Sequence, residues 1–190
     1  MQRMTVLAIV RHTNEETGEM NGKTKKTNVM RMLDSNHIPY DTKSYTYSEE
    51  DLSGIHAAAV LGLPPEQVFK TLVGRGKTTG PVVFCIPCHK ELDLKKAAAV
   101  SHNKSVQLLH VKELLDITGY IRGGCSPIGM KKTFPTYIDA SVRAFDTVSI
   151  SAGQRGLQVL LSPQDLIPLI RAVVAPLVMD TITLTDGRVR

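Results

Sequence analysis

The segment from Tyr120 to Lys132, YIRGGCSPIGMKK, is the stretch of the sequence best suited to bind an anionic or carbonyl oxygen. It contains Gly123, Gly124 and Gly129 together with a proline, and it ends in two lysines. Glycine reaches backbone conformations with positive φ, so a turn of this composition can direct several N–H groups at one oxygen. We therefore predict an oxygen-binding loop here and call residues 120–132 the glycine loop.

Lys70 is the second candidate for chemistry, because it lies within the apolar sequence VFKTLV. In an extended strand its side chain would share a face with Val68 and Leu72. A lysine on such a face either extends to water or is partly desolvated in a pocket, and desolvation would make it a better hydrogen-bonding or proton-handling group. The pattern alone leaves both alternatives open.

The sequence CIPCH at residues 85–89 matches the pattern of covalent haem attachment and also resembles a redox dithiol. Haem attachment usually requires export, and a redox site would need Cys85 at a helix N-terminus rather than at the end of an apolar strand. We therefore predict structural thiols, no cofactor and no metal. A redox role is one alternative, and a zinc site completed by Cys125 is another.

No common nucleophile, phosphate-loop or zinc-protease motif is found in the sequence, and its histidines have no spacing that identifies a base. If the protein is an enzyme, its reaction does not need an obvious protein nucleophile. A second turn with glycines, SAGQRG at residues 151–156, offers a hydroxyl and a guanidinium between two predicted strands.

Composition is ordinary for a globular protein of 190 residues, with 42% hydrophobic residues and a formal net charge of +5. The positive charge modestly favours a polyanionic partner, and plain solubility explains it equally well. The first ten residues do not form a secretory signal, and no stretch is long and apolar enough for a membrane span. Three cysteines suit a reducing compartment, so we expect a cytoplasmic protein without a membrane partner.

The elements that must position these groups are short and mixed. Helix N-caps are predicted at Thr27, Ser53, Asp93 and Ser162, and helix ends at Gly62 and Gly119. Strands are predicted at residues 40–47, 70–74, 82–87, 105–110, 133–140, 146–153 and 156–161. The irregular order favours a single α+β domain with a mixed, largely antiparallel, barrel-like sheet flanked by helices. We assign residues 23–180 to this domain, residues 1–22 to an N-terminal extension and residues 181–190 to a tail.

Four motifs in the same order resemble the YbaK family, the free-standing relatives of the editing domain of bacterial prolyl-tRNA synthetase. They are LGLPPEQVFKTL at 61–72, ELDLKKA at 91–97, GYIRGGCSPIGMKK at 119–132 and SAGQRGL at 151–157. The resemblance covers residues 24–178 and is nearest to the Cys-tRNA(Pro) deacylases. It implies an α+β barrel-like domain that hydrolyses the ester joining a wrong amino acid to tRNA(Pro).

The resemblance also implies a set of site residues. Lys70 matches the essential lysine, and Gly124 matches the loop glycine whose backbone lies against the substrate. Further substrate-binding positions are Tyr40, Thr71, Gly123, Ser126, Gly129, Asp139, Ser151 and Gly153. Candidate tRNA contacts are Lys131, Lys132 and Arg155, with Lys25, Lys26, Lys95 and Lys96 as further cations near the surface. Ala152, Gln154 and Cys125 depart from the residues that relatives often carry.

The implied partners are tRNA(Pro) charged with cysteine and, in a transient ternary complex, prolyl-tRNA synthetase. For a cysteinyl substrate, the resemblance implies that the thiol of the substrate itself assists the reaction. Two alternatives stay open from the sequence: a deacylase for another small amino acid on tRNA(Pro), such as alanine, and a non-catalytic module that binds nucleic acid or a nucleotide.

Overall fold

The computed structural model describes residues 25–180, and both the predicted extension 1–22 and the predicted tail 181–190 lie outside the described residues. The helices are α1 (Asn28–Ser35), α2 (Gly54–Leu61), α3 (Leu94–Val100), α4 (Val111–Thr118) and α5 (Pro163–Leu169). The strands are β1 (Asp41–Ser44), β2 (Phe69–Gly76), β3 (Gly80–Pro87), β4 (Val106–Leu108), β5 (Thr136–Asp139), β6 (Val148–Ser151), β7 (Leu157–Leu161) and β8 (Val173–Ala175). A short 3₁₀ helix, Ala140–Ala144, follows β5.

Side-chain caps begin the helices at the predicted positions. The Thr27 hydroxyl accepts a hydrogen bond from the amide of Met30, and the Asp93 carboxylate accepts bonds from the first turn of α3. Gly62 ends α2 with a φ of 64°, in the left-handed region that favours glycine. These local signals are confirmed because each uses atoms within a few residues of the helix end.

The strands form two sheets. One has the order β4-β2-β3-β5-β8, and the other has the order β1-β7-β6. The pairs β3–β5 and β5–β8 are parallel and the remaining pairs are antiparallel, which confirms an α+β fold with mixed, largely antiparallel strands. The strands do not close into a barrel, because β4 and β8 lie at opposite ends of the larger sheet. An isolated bridge between Val68 and Ser149 connects the two sheets.

The helix predicted to begin after the Ser162 N-cap is short, and a strand that was not predicted follows it. Helix α5 ends at Leu169, Arg171 adopts a φ of 49°, and the chain then forms β8 beside β5. The residues of β8 are rich in valine, which suits a strand. The pairing of β8 with β5 is a tertiary contact, so no local pattern in the sequence predicts it.

The hydrophobic core covers both faces of β2 and β3. Phe69 and Val73 belong to a cluster that the three-stranded sheet and α1 also form, while Phe84 and Ile86 pack on the opposite face beside α3. The strand β2 is therefore held between two packed layers, which fixes the direction of the side chains at its ends. None of the helices within residues 25–180 has the length and apolar character needed to span a membrane.

Candidate active site

A cavity of about 360 Å³ lies where β2, the glycine loop and the start of α2 meet, and we call it the Lys70 cavity. Strand β2 contributes Lys70 and Thr71, the glycine loop contributes Gly123, and the end of β6 contributes Ser151. These four residues were predicted as site residues from three separate motifs. The fold brings them together because β2 and β6 belong to different sheets that meet beside Val68 and Ser149.

Lys70 is one of two basic residues in the described lining of this cavity, and Arg122 is the other. Its side chain is half-buried, and within residues 25–180 its ammonium group has no ion-pair or hydrogen-bond partner. Burial lowers the pKa of Lys70 from its usual value of 10.5, and nearby Cys88 and Glu91 partly oppose this shift. An unpartnered cation in a partly desolvated cavity is available to a negative charge on a ligand.

Internal hydrogen bonds hold the glycine loop in shape. The hydroxyl of Tyr120 donates to the Ile128 carbonyl at 2.6 Å, and the amide of Ile128 donates to the Ser126 hydroxyl at 3.3 Å. Burial raises the pKa of Tyr120 to about 12, so its hydroxyl stays protonated and can donate. Ser126 is fully buried and therefore acts within the loop rather than on a ligand in the cavity.

Two amides of the glycine loop are free to bind an oxygen. Gly123 and Cys125 line the Lys70 cavity, and within the described part of the chain neither amide donates to an acceptor. Gly123 has a φ of 83°, which requires the conformational freedom of glycine. Because Lys70 belongs to the same lining, these amides can form the second half of a site for an oxyanion.

Gly124 lies behind the cavity rather than in its lining. Its own amide donates to the Ile121 carbonyl at 3.0 Å. A Cβ at this position would approach the Cα of Gln154 to 3.1 Å and the amide nitrogen of Arg155 to 3.2 Å. Gly124 therefore permits close packing between the glycine loop and the turn at residues 151–156, and the contact of its backbone with the substrate stays a prediction.

Arg155 ties three segments together at the edge of the cavity. Its Nε donates to the Arg122 carbonyl at 2.9 Å, and its Nη1 donates to a carboxylate oxygen of Glu49 at 2.7 Å. Tyr45, from the same segment as Glu49, lines the Lys70 cavity, and its amide donates to the Gly156 carbonyl. The guanidinium of Arg155 is thus bonded within the chain, and its contact with tRNA stays a prediction.

Two predicted substrate-binding residues lie away from the cavity. Tyr40 donates its hydroxyl to Asp34 at 3.2 Å and lines a separate surface depression, while Tyr45 and Phe69 are aromatic residues in the lining of the Lys70 cavity. Asp139 is buried, and its carboxylate accepts bonds from the amides of Ser141 and Leu177. Asp139 thus connects the end of β5 to the chain after β8 rather than facing a ligand.

Gly129 and Gly153 also lie outside the cavity lining. Gly129 has a φ of 75° and accepts a bond from the Asn28 side chain on its carbonyl at 3.2 Å, which attaches the glycine loop to α1. Gly153 has a φ of 91°, and a Cβ there would come within 3.1 Å of the Tyr120 ring. Both glycines support the loops behind the site.

Most of the cations proposed for tRNA contact have partners within the chain. Lys26 pairs with Asp34 at 2.6 Å, and Lys96 pairs with Asp180 at 2.7 Å. Lys131 donates to the Asp116 carbonyl at the end of α4. Lys25, Lys95 and Lys132 are exposed and have no ion-pair partner among residues 25–180.

The three cysteines are protonated thiols at neutral pH. Burial raises the pKa of Cys85 to about 12, of Cys88 to about 11 and of Cys125 to about 12. Cys85 and Cys88 are free cysteines: the Cys85 sulfur lies 4.0 Å from the Thr71 hydroxyl, and the Cys88 thiol donates to the Pro65 carbonyl at 3.3 Å. No three His, Cys, Asp or Glu residues between 25 and 180 are grouped to hold a metal ion. The geometry supports neither the redox nor the zinc alternative.

Several residues of the cavity were not found from the sequence. They are Tyr45, Leu52, Ser53, Cys88, Arg122 and Gln158. Arg122 belongs to the glycine loop, so its place in the motif was an available signal. The others come from a segment without regular structure, from the start of α2, from the end of β3 and from β7, and only the packing of the two sheets brings them together.

Comparison with known proteins agrees with this geometry. Residues 50–169 match the family model described as "Aminoacyl-tRNA editing domain". A protein of Enterococcus faecalis, EbsC, named provisionally as a Cys-tRNA(Pro)/Cys-tRNA(Cys) deacylase, is 49% identical over 145 residues, which cover 76% of this chain and 88% of EbsC. An uncharacterised protein of Bacillus subtilis, YwhH, is 28% identical over 110 residues, or 58% of this chain and 69% of YwhH.

Solved structures share the fold at low sequence identity. A crystal structure described provisionally as a trans-editing enzyme for prolyl-tRNA synthetase superposes with a TM-score of 0.69 at 24% identity, covering 80% of this chain and 96% of that one. A hypothetical protein superposes with a TM-score of 0.73 at 22% identity, covering 80% and 100%. At these identities the likeness concerns the fold.

Proposed function

The chain belongs to the aminoacyl-tRNA editing domain family, and we propose that it is a free-standing enzyme that hydrolyses the ester of mischarged Cys-tRNA(Pro). This membership agrees with the four YbaK-like motifs. The observation that carries the proposal is the Lys70 cavity, in which a half-buried ammonium lies in the same lining as the amides of Gly123 and Cys125, all three without a hydrogen-bond partner among residues 25–180.

Stabilisation of an oxyanion is the chemistry that this cavity supports. An aminoacyl ester is already activated, so correct placement and stabilisation of the developing negative charge supply much of the acceleration. Lys70 provides a positive charge, and the amides of Gly123 and Cys125 provide fixed dipoles. The carbonyl oxygen of the ester binds between them and becomes the oxyanion.

The nucleophile is the thiol of the substrate's own cysteine. Its sulfur attacks the ester carbonyl carbon and forms a C–S bond, and the C–O bond to the terminal ribose then breaks. The thiol proton goes to the departing ribose oxygen, so the products are uncharged tRNA and a four-membered thiolactone that water opens to cysteine. The raised pKa values of Cys88 and Cys125, which line the cavity, keep the protein's own thiols neutral.

The partner is a cysteinyl-tRNA, and selection acts on the amino acid more than on the tRNA. The printed name of EbsC, which includes both tRNA(Pro) and tRNA(Cys), supports this choice. Specificity for tRNA(Pro) would then come from a transient complex with prolyl-tRNA synthetase. We assign the activity to residues 23–180 and place it in the cytoplasm, where translation occurs.

A panel of charged tRNAs tests the proposal. Purified protein is mixed with Cys-, Ser-, Ala- and Pro-tRNA(Pro) and with Cys-tRNA(Cys), and the loss of each ester is followed over the spontaneous rate. We expect fast loss of both cysteinyl esters and at least about 100-fold slower loss of the seryl ester, because a hydroxyl is a much weaker nucleophile than a thiol.

Other results would assign another function. Faster loss of Ala-tRNA(Pro) than of Cys-tRNA(Pro) would identify a deacylase for alanine. Binding of tRNA without turnover of any ester would identify a non-catalytic binding module.

A further inference from the structure

A second cavity lies on the opposite side of the glycine loop from the Lys70 cavity. It has a volume of about 300 Å³, and its walls come from α1, from residues 127–134 and from the end of α5. The glycine loop separates the two cavities, because Gly123 and Cys125 face the first and residues 127–130 face the second. A volume of this size is sufficient for a small ligand.

The charge of the second cavity has one sign. Among the described residues, Lys132 and Arg171 line it and no carboxylate does. Both side chains are exposed, and within residues 25–180 neither has an ion-pair or side-chain hydrogen-bond partner. This distinguishes them from Lys26, Lys96, Lys131 and Arg155, whose cationic groups are used within the chain.

The backbone at Arg171 is a second observation. Arg171 has a φ of 49°, in the left-handed region where glycine is the favoured residue. Its amide donates to the Pro168 carbonyl, and the next amide donates to the Ile167 carbonyl, so it occupies the position after a helix where glycine is common. An arginine there has an unfavourable backbone conformation, so we look to its side chain for the role of this residue.

The remaining walls are mainly apolar. Met32, Met130, Phe134 and Leu169 contribute to them. A guanidinium and an ammonium suit a phosphate, and an aromatic and aliphatic wall suits a base or sugar. We propose that this second cavity, which we call the Lys132–Arg171 cavity, binds the phosphate of a nucleotide unit.

Such a phosphate has two sources. It belongs either to the tRNA whose ester occupies the Lys70 cavity or to a free mononucleotide. The tRNA source rests on the proposed function, whereas binding of a free nucleotide does not depend on it. The experiment therefore measures binding rather than turnover and uses uncharged tRNA(Pro) and adenosine 5′-monophosphate as two separate probes.

The methyl groups of Met32 and Met130 report on the cavity directly. The full-length protein is labelled at its methionine methyls, and NMR spectra are recorded with each probe for wild type, Lys132→Ala/Arg171→Gly and Lys43→Ala/Lys104→Ala. The last variant removes the same charge at two exposed lysines outside the cavity. Glycine suits the backbone at position 171, so the first double variant should fold normally.

We expect the Met32 and Met130 signals to shift with at least one probe in wild type and in the control variant, and not in Lys132→Ala/Arg171→Gly. A shift with tRNA alone identifies tRNA as the source, and a shift with the mononucleotide identifies a free nucleotide. For tRNA, the slope of log K against the logarithm of the salt concentration should become shallower by about one for each lost phosphate contact. This change is expected in Lys132→Ala/Arg171→Gly and not in the control variant.

The proposal is overturned if neither probe shifts these methyl signals, or if Lys132→Ala/Arg171→Gly binds like the control. Lys70→Ala separates this result from the editing function, because it removes the proposed catalytic cation and leaves the Lys132–Arg171 cavity intact. Loss of turnover in Lys70→Ala with unchanged methionine shifts would support both proposals independently.

Discussion

Lys70 combines burial with the absence of a partner among the described residues, and these two properties have consequences that can be measured. Burial disfavours the charged form, so the folded protein binds this proton less tightly than the unfolded chain does. The ammonium is also the form that stabilises an oxyanion. Activity and stability should therefore respond to the same titration in opposite directions.

The first prediction concerns pH. The enzyme-catalysed rate, corrected for spontaneous ester hydrolysis, should fall as pH rises through the Lys70 pKa, at a value below 10.5. Below the folded-state pKa of Lys70, folding must bury the charged form, which costs stability. Between that pKa and the usual value of 10.5 this cost disappears, so the free energy of unfolding rises with pH in this range. The free energies of unfolding of wild type and Lys70→Met, measured with denaturant, should therefore approach each other as pH rises towards 10.5. A difference between them that does not depend on pH would contradict the assignment.

The second prediction concerns Asp139. Its buried carboxylate accepts bonds from the amides of Ser141 and Leu177, so Asp139→Ala should lower the free energy of unfolding by about 2–4 kcal/mol. The turnover number of the folded protein should change little, since Asp139 does not line the Lys70 cavity. Chemical denaturation and deacylation assays on the same sample check this, and a normal stability with a large loss of turnover would restore a substrate-binding role.

For individual residues, the sequence predicted which residue types belong to the site better than it predicted where their side chains lie. Lys70, Thr71, Gly123 and Ser151 were predicted from their motifs and lie in one cavity. Tyr40 does not, because a sequence position says nothing about which surface a side chain will face after β1 pairs with β7. The sequence also does not show which groups will form ion pairs. Arg155 bonds to Glu49, which is far away in the sequence.

At the scale of elements, the site depends on three irregular segments that hold one another. Arg155 in the turn at residues 151–156 bonds to Glu49 before α2 and to the Arg122 carbonyl in the glycine loop. Glu49 is largely exposed, with 68% of its side chain accessible, so the pair contributes about 1 kcal/mol or less to stability. Its importance should lie in positioning the cavity wall.

The third prediction follows from this arrangement. Arg155→Ala and Glu49→Ala should each lower kcat/KM for Cys-tRNA(Pro) several-fold with little change in stability, and the double variant should be no worse than the more severe single variant. Arg75→Ala is the matched control, because it breaks an ion pair of similar length with Glu113 outside the Lys70 cavity. Additive losses in the double variant would show that Arg155 and Glu49 act separately.

Elements set by local signals were predicted well, and elements set by tertiary contacts were not. The caps at Thr27, Ser53, Asp93 and Ser162 each bond to an amide two or three residues away. Strand β8 forms only because β5 offers it a parallel partner, and the division into two sheets depends on how distant strands pack. Neither relation has a signature within a short window of sequence.

At the scale of the whole molecule, the proposed editing domain spans residues 23–180. The fourth prediction is that a protein restricted to these residues folds and deacylates Cys-tRNA(Pro) within about twofold of the full-length rate, because Lys70, Gly123 and Cys125, to which the chemistry is assigned, lie inside this range. Circular dichroism and the ester assay on the shortened and full-length proteins check it. A folded but inactive shortened protein would assign a catalytic or tRNA-binding role to the ends of the chain.

The central claim is that Lys70 and the glycine loop together stabilise the oxyanion of a mischarged ester. The most direct test is the single-turnover rate of Cys-tRNA(Pro) deacylation by wild type, Lys70→Ala and Lys70→Met, with unfolding curves for all three. We predict a loss of at least about 100-fold in both variants, the size expected for removal of an oxyanion-stabilising group, without loss of the folded state. A folded Lys70 variant that keeps the wild-type rate would contradict the account.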